Sequence, residues 1–109
     1  MKLESEAMEF WRSVIAAYPD RWEARDAAAR IHARLKGEER ANFLRALREN
    51  PTDNHGAFTA LRAGDLLEEG KLADAIAQYG QALAAERRPW VRRMIRAAVV
   101  RCYAGLGDT

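Results

Sequence analysis

Apolar residues recur along this chain with the spacing of amphipathic α-helices, and glycines and prolines interrupt the recurrence. The periodicity predicts six helices, near residues 3–18, 22–36, 38–49, 55–69, 72–86 and 90–106. Gly37 and Gly70 follow apolar stripes and predict helix ends, and Pro89 suits the first turn of the last helix. No segment has the alternation of a strand, so the pattern predicts an all-α fold.

Small residues dominate the predicted inner faces, with a few aromatic residues among them. The predicted inner faces are these: on the first helix Leu3, Ala7, Phe10, Trp11, Val14, Ile15 and Tyr18; on the second Ala24, Ala27, Ala28, Ile31 and Leu35; on the fourth Ala57, Ala60, Leu61, Gly64 and Leu67; on the fifth Leu72, Ala75, Ile76, Tyr79, Ala82 and Leu83; and on the last Ile95, Ala98, Val99, Cys102 and Leu106. Because the connections are short, the helices are expected to pair as antiparallel hairpins. Asp20 and Glu23 have the D-x-x-E spacing of a capped helix start and predict the cap of the second helix.

Prolines divide the chain into units of similar length. Pro19, Pro51 and Pro89 are separated by 32 and 38 residues. A period of about 20 to 50 residues is typical of stacked repeats. Since one hairpin of this size cannot bury its apolar face alone, neighbouring hairpins are expected to stack. The sequence therefore predicts a single repeat domain over residues 1–109.

These units resemble tetratricopeptide repeats. The second helix of that repeat has an alanine, an aromatic residue four positions later, a small residue three later and a proline five after that. The matching residues are Ala7, Trp11, Val14 and Pro19, then Phe43, Ala46 and Pro51, and then Ala75, Tyr79 and Ala82. Gly70 suits the turn between the two helices, and the end of a first helix with its turn is matched by Tyr103, Gly107 and Asp108. The chain departs from the pattern at Glu39, in place of an alanine, and at Arg87, in place of a proline. The resemblance covers nearly the whole chain.

The resemblance implies a right-handed α-solenoid of about six helices, whose first-type helices line a concave groove for a protein or peptide. The groove residues that it implies are Glu23, Asp26, Arg30, Arg34, Arg62, Asp65 and Arg101. Arg30 and Arg34 are one turn apart and suit a bound carboxylate, but Asp26 is equally well placed to pair with Arg30 along the helix.

The resemblance also implies that the chain begins with a second-type helix and ends with a first-type helix. A face at each end is then expected to lack its neighbour. Two explanations are open: the chain is a fragment of a longer array, or its ends pair with those of another copy and produce a homo-oligomer.

Charge is unevenly distributed along the chain. Residues 1–85 contain 12 basic and 14 acidic side chains, whereas residues 86–109 contain 6 and 2. The basic segment holds a candidate polyanion patch, formed by Arg87, Arg88, Trp90, Arg92, Arg93 and Arg96. Phosphate or RNA contact with stacking on the tryptophan is one interpretation. We favour the other, a solvated helix face with glutamate partners on a neighbouring helix, because the formal net charge is only +2.

The sequence offers little for catalysis. His32, His55 and Cys102 are interpreted as structural or solvated residues, and no nucleophile motif, metal-ligand pair or phosphate-binding loop is present. We therefore expect no enzyme activity, no metal and no cofactor. The chain has no run of about 20 apolar residues and its start lacks the apolar run of a secretory signal, so a cytoplasmic location is expected by default.

The leading functional prediction is a protein-interaction module that presents a helical groove to a protein or peptide segment. One alternative is RNA or polyanion binding through the arginine-rich last helix, with nucleic acid the less favoured partner. Another is that the chain is a regulatory part of a larger enzyme and has no chemistry of its own.

Overall fold

The computed structural model describes residues 2–50 and 52–107, which form six α-helices and no strand, as the sequence predicts. The helices are α1 (Lys2–Ala17), α2 (Trp22–Arg34), α3 (Gly37–Arg48), α4 (Ala57–Glu68), α5 (Leu72–Ala85) and α6 (Pro89–Gly105), and a 3-10 turn, Asn54–Gly56, precedes α4. Pro51, Asp108 and the side chain of Leu3, which contributed to the sequence predictions, lie outside the described residues.

The chain divides into two compact units, residues 1–54 and residues 55–109. In the first unit, α1 packs against α2 and α2 packs against α3. In the second unit, α4, α5 and α6 all pack against one another. The guanidinium of Arg92 near the start of α6 donates a hydrogen bond to the carbonyl of Leu83 near the end of α5, and Leu72 at the start of α5 lies beside Gly105 at the end of α6. These contacts show that α5 and α6 run antiparallel.

Alanines are among the most deeply buried residues of the helices, as predicted. Ala24 and Ala28 of α2 and Ala75 and Ala82 of α5 are fully buried. A methyl side chain occupies little space, so it lets neighbouring helix axes approach closely while still removing apolar surface from water. The predicted inner faces of α2 and α5 are therefore confirmed at these positions.

Some predictions of helix faces are wrong. Phe10 is exposed because helical spacing places it with Glu6 and Ser13, away from the face that packs against α2. Tyr18 and Leu106 are exposed as well, since each follows the last residue of its helix.

The buried residues of α4 also differ from the predicted stripe. The fully or nearly fully buried positions are Ala57, Phe58, Thr59 and Ala63, whereas Ala60, Leu61, Gly64 and Leu67 are half-buried. The physical reason is that α4 contacts both α5 and α6. Its buried surface therefore extends over more than one helix face.

Two predictions of helix ends are also corrected. Asp20 does not cap α2, because the N-cap is Arg21, which makes no side-chain hydrogen bond there. The carboxylate of Asp20 instead accepts a hydrogen bond from the hydroxyl of Thr52. Gly37 is the first residue of α3 rather than the residue that stops α2. Gly70 does end α4, with φ +80° and the amide of the next residue bonded to the carbonyl of Leu66 at 2.9 Å, which is the Schellman geometry.

The amide side chain of Asn54 connects two loops of the first unit. It is fully buried, and its Nδ2 donates hydrogen bonds to the carbonyls of Pro19, at 2.7 Å, and Arg21, at 2.8 Å. A buried amide group requires such partners. Asn54 therefore holds the connection between α1 and α2 against the segment that follows α3.

Position 56 at the entrance to α4 requires glycine. Gly56 has φ +98°, and a Cβ atom built there would lie 2.5 Å from the carbonyl oxygen of Ala82. Both the left-handed backbone and the approach of α5 exclude a larger residue. The first turn of α4 is thereby held directly against α5.

Candidate functional site on the last helix

Helix α6 begins at Pro89, which occupies the first turn as predicted. It buries Val91, Ile95, Ala98 and Cys102, whose spacing of four, three and four residues lies on one helix face. These side chains join Ala63, Ala75, Tyr79 and Ala82 in the core of the second unit. The opposite side of α6 is left in contact with solvent.

The solvent side of α6 carries large apolar residues in two stripes. The tryptophan stripe consists of Trp90, Met94, Ala97 and Arg101, and the tyrosine stripe consists of Arg93, Arg96, Val100 and Tyr103. All eight residues are exposed. Residues three or four positions apart are neighbours on a helix surface, so each stripe is a continuous strip.

The solvent side of α6 is also strongly basic. The helix contains four arginines and no acidic residue. Apolar side chains beside the exposed Arg93, Arg96 and Arg101 suit a partner that combines apolar and acidic groups.

Two arginines of the predicted polyanion patch are engaged in the turn between α5 and α6. Arg88 donates hydrogen bonds from its backbone N–H and its Nε to Oε1 of the fully buried Glu86, at 2.9 and 2.6 Å, and from Nη2 to Oε2 at 2.8 Å. Arg92 donates to the carbonyls of Leu83 and Glu86, at 2.6 and 2.7 Å, and so satisfies the end of α5. The carboxylate partner comes from the connection itself, not from a neighbouring helix.

The environment of Glu86 favours its ionised form. Burial alone would raise the pKa of this carboxyl, but the hydrogen bonds and the charge of Arg88 outweigh burial and lower the pKa below its ordinary value. The members of the predicted patch that remain exposed are Arg87, Trp90, Arg93 and Arg96.

The predicted groove residues of α2 contact side chains of their own unit. The guanidiniums of Arg34 and Arg30 lie 4.7 and 6.0 Å from the ring centroid of Trp11, within the range of cation–π attraction. Arg34 also pairs with Glu4 at 3.2 Å, and Arg30 pairs with Asp26 at 2.9 Å. The alternative that Asp26 pairs with Arg30 along the helix is confirmed.

The remaining groove residue of α2, Glu23, is half-buried and pairs with Arg21 at 3.4 Å. On α4, Arg62 is half-buried and donates a hydrogen bond to the hydroxyl of Thr59 at 3.0 Å. These two predicted residues therefore also have contacts within their own units.

Asp65 and Arg101 lie around the phenol of Tyr79 in the second unit. Burial is the main cause that raises the pKa of Tyr79; the nearby carboxylates of Asp65 and Glu68 raise it further, and Arg101 opposes them. The structure thus brings one predicted residue of α4 and one of α6 to the same place. Sequence spacing did not predict that Tyr79 lies between them.

A cleft in the first unit was not predicted. It has a volume of about 270 Å³ in one part and about 230 Å³ in an adjoining part. Arg12, Phe43 and Ala46 line both parts, and the guanidinium of Arg12 lies 5.9 Å from the centroid of the Phe43 ring. The sequence showed these residues only as members of two amphipathic helices, and only their tertiary packing produces the cleft.

The described residues offer few groups for chemistry. Cys102 is fully buried, as predicted, and burial raises the pKa of its thiol. His55 is exposed and His32 is half-buried. Between residues 2 and 107, leaving aside position 51, no group of three or more His, Cys, Asp or Glu side chains is arranged to hold a metal ion.

Within the part of the chain that the structure describes, none of the helices has the length and apolar character needed to span a membrane. A scan of protein-family models, a search of curated proteins and a search of solved structures found no match to this chain.

Proposed function

We propose that this chain is a protein-interaction module, and that the tryptophan stripe of α6 binds an apolar, acid-flanked segment of another protein. The observation that carries the proposal is the exposure of Trp90 and Met94, 45% and 51%, one helical turn apart. Arg101 extends the same stripe and Arg93 borders it.

The composition of this surface supports binding to protein. Tryptophan, methionine and arginine are enriched at protein–protein interfaces, and tryptophan and arginine are over-represented among the residues that contribute most to affinity. Exposed large apolar side chains that lie together mark interaction surfaces more often than chance exposure does. The absence of acidic residues from α6 favours a partner with carboxylates.

A tetratricopeptide-like stacking of hairpins is part of the proposal. What supports it is the packing of the second unit, where α4 and α5 form a hairpin and the following α6 packs against both. In such an arrangement, α4 and α6 would be first-type helices. The tryptophan stripe, with Asp65 and Arg101 near Tyr79, would then belong to the surface that binds the partner.

Selection from a displayed peptide library tests the proposal directly. We expect the immobilised protein to enrich peptides that combine apolar and acidic residues. Fluorescence anisotropy of one enriched peptide is expected to show at least about tenfold weaker binding to the double variant Trp90→Ala, Met94→Ala. The matched control is Tyr18→Ala, which removes an exposed aromatic residue from the first unit and is expected to leave the affinity unchanged.

Failure to enrich such peptides, or equal affinity for the double variant, would contradict the proposal. Binding of labelled RNA with steep salt dependence would replace it with polyanion binding. The decisive variant for that outcome is Arg93→Ala with Arg96→Ala. Arg92→Ala is unsuitable, because it would also disturb the end of α5.

A further inference from the structure

We infer that the tyrosine stripe of α6 binds the outward face of α1 from a second copy of this chain, so that copies associate head to tail. This surface differs from the tryptophan stripe, and the inference does not depend on the proposed function. Three features of the described residues lead to it: an exposed apolar strip on α6, an exposed apolar residue on α1, and opposite charges beside them.

The tyrosine stripe is the more apolar end of α6. Val100 is 66% exposed and Tyr103 is 43% exposed, and they lie three residues apart on one side of the helix. Arg93 and Arg96 precede them on the same strip. The strip therefore begins with two positive charges and ends with two large apolar side chains.

The outward face of α1 has the complementary order. Phe10 is 63% exposed and shares a face with Glu6, Ser13 and Ala17, which are also exposed. Glu9 is exposed at the edge of this face. Like Arg93 and Arg96, Glu6 and Glu9 are three residues apart and precede the apolar part of their strip. Two such helices that lie side by side in the same direction bring glutamates to arginines and Phe10 to Val100.

Apolar burial and charge pairing then favour the same alignment. Covering an exposed phenylalanine and valine removes apolar surface from water. Opposite charges beside them set the register and disfavour contact between two identical faces. Two α6 strips would bring four arginines together, and two α1 faces would bring four glutamates together. The charges therefore select a contact between unlike faces.

A contact between unlike faces leaves each copy with one free face of each kind, so it produces open chains or closed rings, of which the smallest is a reciprocal dimer. This property provides a sharp test. The variant Phe10→Glu disables binding through α1 and leaves the tyrosine stripe of α6 intact, whereas Val100→Glu disables the tyrosine stripe and leaves the α1 face intact. Each variant alone is expected to be monomeric, but an equimolar mixture is expected to form a dimer and no larger species.

Sedimentation velocity of the full chain over a concentration series measures these outcomes, and circular dichroism checks that each variant remains helical. We expect the wild-type average mass to increase with concentration, and Arg96→Glu to weaken association at least about tenfold. Glu6→Arg combined with Arg96→Glu is expected to restore association, because Glu6 and Arg96 each lie four residues before the apolar residue of their strip. The double variant Trp90→Ala, Met94→Ala is expected to associate as the wild type does, which separates this inference from the proposed function.

Wild-type protein that stays monomeric up to about 1 mM, the range of very weak association, would overturn the inference. So would wild-type association together with a mixture of the two glutamate variants that fails to form dimers, because the contact would then involve other surfaces. Loss of association in the double variant of the tryptophan stripe would likewise assign the contact to that stripe.

Discussion

Replacing Glu86 by alanine is expected to destabilise the second unit by about 3 kcal/mol. The carboxylate of Glu86 is fully buried and accepts three hydrogen bonds from Arg88. Removing it deprives the backbone N–H and the largely buried guanidinium of Arg88 of these bonds. Breaking a buried ion pair in this way costs about 3–5 kcal/mol, and we place the cost at the lower end because 14% of the Arg88 side chain is exposed and can be solvated.

The effect is expected to depend on pH. The pKa of Glu86 is lowered in the folded protein, so the unfolded chain binds a proton at this site more readily than the folded chain does. The contribution of Glu86 to stability is therefore fully present above the ordinary pKa near 4.5 and is lost as the pH falls through the lower folded-state value. The difference between wild type and Glu86→Ala should be large at pH 7 and should shrink in acid.

Urea unfolding followed by circular dichroism measures both quantities, the free energy at pH 7 and its decrease at low pH. The matched control is Glu69→Ala, which breaks an ion pair with Lys71 at 3.3 Å. Both side chains of this pair are more than half exposed, so the substitution is expected to destabilise the protein by about 0.5 kcal/mol or less. The double variant Glu86→Ala, Arg88→Ala should be less destabilised than the sum of its single variants, since it leaves no unpaired charge. A cost for Glu86→Ala that equals the control, or one that is unchanged between pH 7 and pH 3, would refute this reasoning.

Three further predictions concern backbone conformation, a buried amide and a buried thiol. Gly56→Ala is expected to lower the free energy of unfolding in urea by more than about 2 kcal/mol, because the new methyl group meets the carbonyl of Ala82 at a left-handed position. Gly70 is also left-handed but has no atom within 4 Å, so Gly70→Ala should cost only about 1 kcal/mol. Equal costs would contradict the close approach at Gly56. Asn54→Asp is expected to destabilise the first unit about as much as Asn54→Ala, about 1–3 kcal/mol, because a carboxylate cannot donate to two carbonyls; full stability of the aspartate variant by thermal unfolding would disprove this role. Cys102 should react with a thiol reagent at pH 8 only at the rate of unfolding, since it is fully buried and burial raises its pKa; rapid labelling of the folded protein would show that the last helix opens.

The helices themselves were predictable because helix formation depends on neighbours in the sequence. Apolar residues three and four positions apart report which face is buried, and they predicted the buried alanines of α2 and α5. Gly70 and Pro89 act through their own backbone preferences, so their roles could also be predicted. The same argument failed for Phe10, because it was counted with the inner face of α1 although its spacing matches Glu6 and Ser13.

The candidate site could be predicted only in part. Clustering of arginines pointed to α6, since charge composition is visible in the sequence. It could not distinguish Arg92, which binds the carbonyls at the end of α5, from Arg93, which is exposed. Nor did it predict that Val100 and Tyr103 would be exposed, because the choice of buried face depends on where α4 and α5 lie.

The sequence by itself determined that this chain is helical, where its helices begin and end to within about a turn, and which alanines of α2 and α5 are buried. Tertiary structure decided the burial of Asn54 and Glu86, the left-handed entrance to α4, and the side of α6 that is left to solvent. The physical reason is the range of the interactions concerned. Helix propensity and periodicity act over three or four residues, whereas a buried amide, a buried carboxylate and an exposed stripe depend on which groups the folded chain brings together.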